Sequence, residues 1–404
     1  MILAGGEGTR LYPLTMERAK PSVPFGGNYR IIDFVLSNFI NSGIFKIYVL
    51  TQFKAQSLMQ HIRLGWRISG MENSFIETIP PQMRTGKRWY EGTADSVFQN
   101  MNLIEEESPD QVLVFGGDHI YKMDINQLLR FHEKTKAVLT VSAISVPKEQ
   151  ASQFGIIEVD DNWRMIGFVE KPKQEPKTVP GDPTKVLASM GNYIFDRDIL
   201  CEVLEEDSKK LDSSHDFGKD IIPTLYPKHE VYVFDFRRNK VPGEDATSSV
   251  YWRDVGTIES FFDSNIDLVG VTPEINLYNF KWPIRGYFPA MPGAKFVHYS
   301  PSRTGQAINS MVSAGTIISG AEVYESVLGS AVKVHSFSKI KHSVLMGYND
   351  VGRNTRINRT IMDKGAKVGS NLTIGFNRED DLNLPGCMVS ESGIVVIPKG
   401  VVIE

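Results

Sequence analysis

The stretch Met1-Ile-Leu-Ala-Gly-Gly-Glu-Gly-Thr-Arg10 decides how this chain is read. Apolar residues run straight into a glycine-rich turn that closes on an arginine. A buried strand that stops at such a turn presents several backbone N–H groups at one spot, which holds a nucleotide's phosphates with no side-chain bulk in the way. Arg10 adds positive charge, and Lys20 follows just before Pro21. The two standard phosphate loops do not fit. A Walker A loop needs a lysine that is missing here. A dinucleotide loop matches at Gly6 and Gly8 but needs a third glycine where Leu11 stands.

Outward from that turn, β-rich runs alternate with helical patterns. Ile44–Leu50, Val112–Phe115 and Ala137–Val146 read as strands. Arg30–Asn41 puts Ile32, Val35, Leu36, Phe39 and Ile40 on one helical face, with Gly43 behind as a C-terminal cap. Thr93–Glu105 reads as one helix with Thr93 as its N-cap, and Asp124 opens another. This alternation predicts an α/β, Rossmann-like, mostly parallel mixed sheet covered on both faces. Ligands of such sheets bind beyond the carboxyl ends of the strands, where the Gly5–Arg10 and Gly116-Gly-Asp118 turns lie.

The texture changes near residue 270. Pro273, Pro283, Pro289 and Pro292 punctuate an expected linker. Beyond it, aliphatic beads recur about every six residues: Val312, Ile317, Val323, Val327, Val332, Ile340, Val344, Val351, Ile357, Ile361, Val368 and Ile374. The rhythm predicts a parallel β-helix with each bead inside, in preference to an antiparallel sandwich, since paired hairpin turns are few. The expected organisation is a catalytic domain at 1–270, a linker at 271–295 and a β-helix at 296–404.

Composition excludes several classes. The 404 residues hold 44 basic and 48 acidic side chains, a net charge of −4, so no nucleic-acid or membrane surface is expected. No apolar run is long enough to span a bilayer, and no secretory leader is apparent. Cys201 and Cys387, the two cysteines, form neither a disulfide framework nor a zinc pattern, so a reduced cytoplasmic protein is expected. Met1 stands inside the short first strand, so the natural chain is expected to start a few residues upstream.

The motifs occur in a telling order. Leu3–Leu11 and Arg18-Ala-Lys-Pro21 are followed by Phe25-Gly-Gly, Arg30-Ile-Ile-Asp-Phe34 and Leu36-Ser-Asn38. Then come Trp89-Tyr-Glu-Gly-Thr-Ala-Asp95, Gly117-Asp-His-Ile-Tyr121, Phe168-Val-Glu-Lys-Pro172, Ser213-Ser-His-Asp-Phe-Gly-Lys219 and Tyr251-Trp-Arg-Asp-Val-Gly256. Over nearly its whole length the chain resembles the sugar-1-phosphate nucleotidyltransferases, and within them the bacterial glucose-1-phosphate adenylyltransferase family. The resemblance implies a left-handed β-helix, a homotetramer, and ATP and glucose 1-phosphate as substrates on the way to glycogen.

The implied reaction is attack by a sugar-phosphate oxygen on the α-phosphorus of a nucleoside triphosphate, with pyrophosphate leaving. Both partners are anions, so charge repulsion is the main obstacle, and positioning with cationic screening is what the protein supplies. Asp118 ends a buried strand, where a carboxylate is costly unless a cation meets it. Mg²⁺ suits that place, being a hard ion that favours carboxylates and phosphate oxygens. The resemblance assigns the metal to Asp118 and Asp254. Taken singly, each would read as a cap or a salt bridge. By resemblance Arg10, Lys20, Asp118 and Lys171 carry the chemistry, Lys171 by holding the sugar phosphate. Leu3, Ala4, Gly5, Gly6, Gly8, Thr9, Arg10 and Gln52, with Gly92, Thr93 and Asp95, would bind the nucleotide. Glu170, with Tyr90, Gly155, Ser189, Tyr193, Asp216 and Trp252, would bind the sugar phosphate. For Tyr193 and Trp252 core packing is an equal reading. His119 reads as structural, because the chemistry needs no general base. The basic loop Pro81–Trp89 reads as a surface flap over the triphosphate.

Bacterial relatives are allosteric, binding phosphorylated metabolites between the catalytic domain and the β-helix. Arg18 and Arg30 match basic positions of that site. Glu17 and Pro24 stand where enteric enzymes carry a lysine and a histidine, and Glu379-Asp-Asp-Leu382 lacks their arginine pair. This argues against fructose 1,6-bisphosphate and leaves fructose 6-phosphate, pyruvate or no activator open. The competing readings are a donor other than ATP (dTTP, UTP or GTP), a non-catalytic regulatory subunit, and an acyltransferase using His335 or His342. Intact Arg10, Lys20, Asp118 and Asp254 speak against the subunit.

Overall fold

The structure, a computed structural model, describes all residues except 69–72, 85, 175, 180 and 246–249. The first strand, Ile2–Ala4, lies inside a nine-stranded sheet, parallel to Lys46–Thr51 on one side and Gln111–Gly116 on the other. Phe75–Ile79 extends the parallel half. The long strand Lys185–Asp196 runs antiparallel to Gln111–Gly116 and carries the mixed half of the sheet. Two apolar clusters fill the two faces. One holds Val97, Val114, Phe195 and Phe217; the other holds Val35, Phe39, Phe115 and Tyr121. Strands buried on both faces explain why these runs read as continuously apolar.

Helix Ile31–Asn41 forms as its apolar spacing predicts. The single helix expected over Thr93–Glu105 does not. Thr93–Phe98 ends at Gln99, a second helix runs from Met101 to Glu107, and the N-cap of the first is Gly92 rather than Thr93. The break has a local cause. Asn100 turns its amide back to Ser96 O and to Tyr90 Oη, and its φ of −120° leaves the helical range. Thr93 instead uses its hydroxyl across the cleft, donating to Asp216 Oδ2 at 2.9 Å.

Residues 270–294 form neither helix nor strand, as the prolines imply, but they do not hang free. Trp282 and Ile284 are buried, Arg285 N donates to Ser37 Oγ, and Asn41 Nδ2 donates to Pro283 O, so the segment lies along helix Ile31–Asn41.

From Lys295 the chain winds into a three-sided parallel β-helix of the left-handed hexapeptide type. Three aliphatic columns stack inside it. Val323, Ile340, Ile357 and Ile374 pair in sequence; so do Ile318, Val334, Val351 and Val368; so do Leu328, Leu345, Met362 and Ile397. Four of the expected beads are corrected. Ile317 is exposed and its neighbour Ile318 is the buried residue. Val327, Val344 and Ile361 face out of the coil, with Leu328, Leu345 and Met362 inside. Adjacent residues of a strand point to opposite faces, so a bead misplaced by one residue lands on the wrong side.

The outward three still become fully buried. They meet Phe261 and Phe262 of helix Ile258–Asp267, together with Phe25 and Phe34, in one apolar cluster that joins the coil to the N-terminal part of the chain. Two ion pairs cross the same boundary: Arg18 to Asp363, with both oxygens at 2.7 Å, and Lys399 to Glu17 at 2.7 Å. Among the described residues no helix is long and apolar enough to cross a membrane.

Candidate active site

A cleft of about 620 Å³ opens at the carboxyl ends of the parallel strands. Its floor is the glycine turn. Gly5, Gly6 and Gly8 line it, and Gly8 has a φ of +64°, a left-handed conformation that glycine adopts without strain. Thr15 Oγ1 donates to Gly8 O at 3.0 Å and braces the turn. Beside it, Asp118 follows strand Gln111–Gly116, and Asp254 follows the short strand Trp252–Arg253, which pairs with Ile120–Tyr121. That pairing brings two carboxylates, 136 positions apart in sequence, to one point.

Lys20 lies between them. Its Nζ sits 2.9 Å from Asp118 Oδ2 and 2.7 Å from Asp254 Oδ1, and Arg10 Nη2 is 3.4 Å from Asp254 Oδ2. Burial alone would raise both carboxyl pKa values. Burial is the largest single effect, but the Lys20 charge and hydrogen bond, acting together with the neighbouring His119, outweigh it, so Asp118 is held well below the usual carboxylate range and Asp254 is lowered too. Burial would lower Lys20, yet the two carboxylates keep its ammonium above the ordinary value. One ligand atom each from Asp118, His119 and Asp254 lies within 4.8 Å of the others, a donor set that fits a divalent ion.

His119 is the residue that sequence reasoning set aside. Its Nε2 is 3.6 Å from Asp118 Oδ1 and its ring packs 5.0 Å from Trp252. The signal available was only its place next to Asp118.

Most expected cleft residues do meet there. Leu3, Ala4, Gln52, Gly92 and Thr93, expected to bind the nucleotide, line the cleft, and so do Tyr90, Gly155, Glu170, Ser189, Tyr193, Asp216 and Trp252, expected to bind the sugar phosphate. Trp252 Nε1 and His119 Nδ1 are buried with no hydrogen-bond partner among the described residues. Gln52 is locked rather than free: its Oε1 accepts from Tyr90 N at 2.7 Å and its Nε2 donates to Tyr90 O at 3.2 Å. Asp216 caps the turn behind it, accepting from Gly218 N and Lys219 N.

Four expected residues do not line the cleft. Asp95 is buried, with its carboxylate engaged by Glu91 N, Gln99 and Arg88; it holds the 88–91 turn in place. Thr9 starts a short 3-10 turn that carries Arg10 to the rim, where the arginine side chain is 57% exposed. Lys171 stands at the opposite rim, 58% exposed and 3.7 Å from Glu170. Of the loop Pro81–Trp89, position 85 lies outside the described residues. Arg88 anchors its end to Glu91 and Asp95, and Trp89 is exposed.

A second pocket, about 740 Å³, lies between the catalytic domain and the β-helix and includes Arg18, Arg30, Lys54, Lys364 and Lys399. Arg18 and Lys399 are already paired with Asp363 and Glu17. Arg30 Nη1 donates to Ser22 Oγ and to Ser57 O and Oγ, with no carboxylate partner for its guanidinium among the described residues. Burial, then the nearby Arg18, pushes its pKa down to about 10. Lys364, over the Tyr348 ring, is lowered by burial and by Arg30 and Arg18.

A glycine turn facing paired carboxylates and basic groups, at the strand ends of a mixed sheet, defines a nucleotidyltransferase. Residues 1–269 match the family described as Nucleotidyl transferase, and residues 292–397 match the family described as GlmU-like, C-terminal hexapeptide. The chain is 52% identical over 400 residues to the glucose-1-phosphate adenylyltransferase of Aliivibrio fischeri, covering 99% of this chain and 97% of the relative. The same coverage and identity hold for the enzyme of that name from Photobacterium profundum. The one from Anaeromyxobacter sp. is 50% identical over 406 residues, 100% of this chain and 98% of the relative. The chain belongs to the glucose-1-phosphate adenylyltransferase family.

Proposed function

We propose that the chain transfers the adenylyl group of ATP to α-D-glucose 1-phosphate, giving ADP-glucose and pyrophosphate, the glucosyl-donor step of glycogen synthesis. The observation that carries this is the ionic cluster of Asp118, Asp254, Lys20 and Arg10 beside the glycine turn. No nucleophilic side chain is needed; the cleft orients two anions and screens their charge. The turn's backbone N–H groups bind phosphate oxygens. Arg10 and Lys20 counter the charge gathering on pyrophosphate as it leaves. Glu170 and Asp216 accept from sugar hydroxyls, and Lys171 at the rim takes the phosphate of glucose 1-phosphate. Asp118 and Asp254 would hold Mg²⁺, which supplies charge neutralisation at the α-phosphate.

The test supplies ATP, UTP, dTTP and GTP in turn with glucose 1-phosphate and Mg²⁺ and follows pyrophosphate release. ATP is expected to give the highest kcat/KM by at least about tenfold. A better donor among the other three replaces the adenylyl reading. No release from any of them favours a regulatory subunit.

The proposal extends to regulation and assembly: a cytoplasmic homotetramer with an anionic metabolite held in the second pocket. Arg30 and Lys364, which form no ion pair with a carboxylate among the described residues, are the groups that would take a phosphate or carboxylate. Because Arg18 and Lys399 are already neutralised, a singly phosphorylated sugar or pyruvate suits the pocket better than a bisphosphate. Fructose 6-phosphate, pyruvate and fructose 1,6-bisphosphate are compared as activators of wild type and Arg30→Ala. The variant is expected to need at least about tenfold more activator for half its effect. Responses unmoved by Arg30→Ala would take the effector away from this pocket.

A further inference from the structure

The Lys20 ammonium occupies the gap between Asp118 and Asp254 so closely that its own position is a statement about the metal. Its side chain is 7% exposed, with one carboxylate oxygen at 2.9 Å and the other at 2.7 Å. A divalent ion bridging the same two oxygens and the ammonium cannot sit there together. The local charge count points the same way. Two carboxylates carry −2, Lys20 and Arg10 carry +2, and the free cluster is neutral. Adding a divalent cation to a neutral cluster beside a buried ammonium is opposed by like-charge repulsion.

The way out for Lys20 is also visible. Its stem packs on the phosphate turn: a Cβ at Gly8 would fall 2.9 Å from Lys20 Cβ and 3.2 Å from Thr15 Cγ2. Lys20 and the turn's Gly5, Gly6 and Gly8 line the same cleft, so a ligand bound on the turn lies beside Lys20. A triphosphate there offers the ammonium a new set of oxygens and brings in the negative charge that a divalent ion then balances.

We propose that Lys20 is a built-in placeholder for the divalent ion: it closes the two-carboxylate seat in the free enzyme, and the seat opens when nucleotide phosphates draw Lys20 onto the glycine turn. Metal and nucleotide therefore enter together, and the free ion binds weakly. This rests on the assignment of Asp118 and Asp254 as the metal pair.

The test uses the full-length protein with Mn²⁺ alone as the probe, read by the relaxation of water protons, which reports protein-bound ion. Lys20→Met is expected to bind Mn²⁺ without nucleotide at least about tenfold more tightly than wild type. Lys20→Arg, which keeps a cation on the pair, stays as weak as wild type. Adding the inert α,β-methylene analogue of ATP to wild type raises its uptake of Mn²⁺ to the level of Lys20→Met. Removing a seat carboxylate as well, in Asp118→Asn with Lys20→Met, cancels the gain and places the ion between the two acids. Melting in the presence of Mn²⁺ is a second readout, with a larger upward shift expected for Lys20→Met than for wild type. Equal Mn²⁺ binding by wild type and Lys20→Met, with a working seat, overturns the placeholder and leaves the metal pair standing. A gain that survives Asp118→Asn puts the ion elsewhere and also overturns it. No Mn²⁺ uptake by any of these proteins, with or without the analogue, removes the metal pair itself and the placeholder with it.

Discussion

Asp118→Asn lowers kcat by about 10²–10³-fold, the loss seen when one preorganised electrostatic group is taken from a transition state. The side chain keeps its shape and can still accept from Lys20, now as a neutral amide. What disappears is one negative charge of the pair that, in the proposed reaction, holds the divalent cation against the substrate phosphates. Nucleotide affinity is expected to change far less, because the proposed phosphate contacts come from the backbone of the glycine turn rather than from Asp118. Steady-state kinetics with equilibrium nucleotide binding separates the two. A variant that keeps its turnover would remove Asp118 from the mechanism. One that loses nucleotide binding in step with turnover would make it a binding residue only.

Gly92→Ala is the second large effect, and its cause is packing rather than charge. A Cβ at position 92 would fall 2.2 Å from His215 O and 2.3 Å from Ser214 O, distances at which backbone has to move. Those atoms are not idle. His215 O accepts from Ala94 N at 2.8 Å and from Asp95 N at 3.3 Å, closing the start of helix Thr93–Phe98. Thr93 and Asp216 clasp the same two segments through side chains, and Phe217 N donates to Thr93 Oγ1 at 3.0 Å. One methyl group therefore pries residues 92–95 from residues 214–217, two segments that line the cleft together. We expect a loss of kcat/KM of about 10²-fold from misplaced substrates. A stability loss of about 1–3 kcal/mol by urea unfolding should accompany it. Kinetics within twofold of wild type, at unchanged stability, would mean that the two walls do not need this close contact. The backbone at Gly92 is extended, with a φ of −157°, so conformational strain does not enter the prediction.

The two variants show where reading the sequence succeeds and where it stops. Asp118 was visible because a charged residue after Val112–Phe115 and two glycines contradicts the burial of its neighbours. Gly92 was named from its motif, but the reason for it, two carbonyls supplied by residues 214 and 215, belongs to a segment far along the chain. Asp95 came from the same motif and turned out to face inward, because nothing local says which side of a short helix will meet Arg88 and Gln99. The helix break after Phe98 was missed for a related reason: Asn100 leaves the helical path to reach Tyr90, a partner fixed by the sheet and not by helix propensity.

In the β-helix the period was legible and the phase was not. Six-residue spacing marks the coil, but in Val327-Leu328 and Val344-Leu345 both residues are apolar, so alternation alone cannot say which one points inside. The catalytic domain decides it by covering the outer residues with Phe261 and Phe262.

By itself the sequence determined the alternating sheet, the coil, the phosphate turn and the identity of the acidic and basic groups, because each is written in spacings of a few residues or in an order of motifs. The tertiary structure alone decided that Lys20 would lie between Asp118 and Asp254, that Arg18 would be claimed by Asp363, and that Arg30 would be left without a carboxylate. These pairings join residues 98 to 345 positions apart. Their strength depends on burial and distance, and both exist only once the chain has closed on itself.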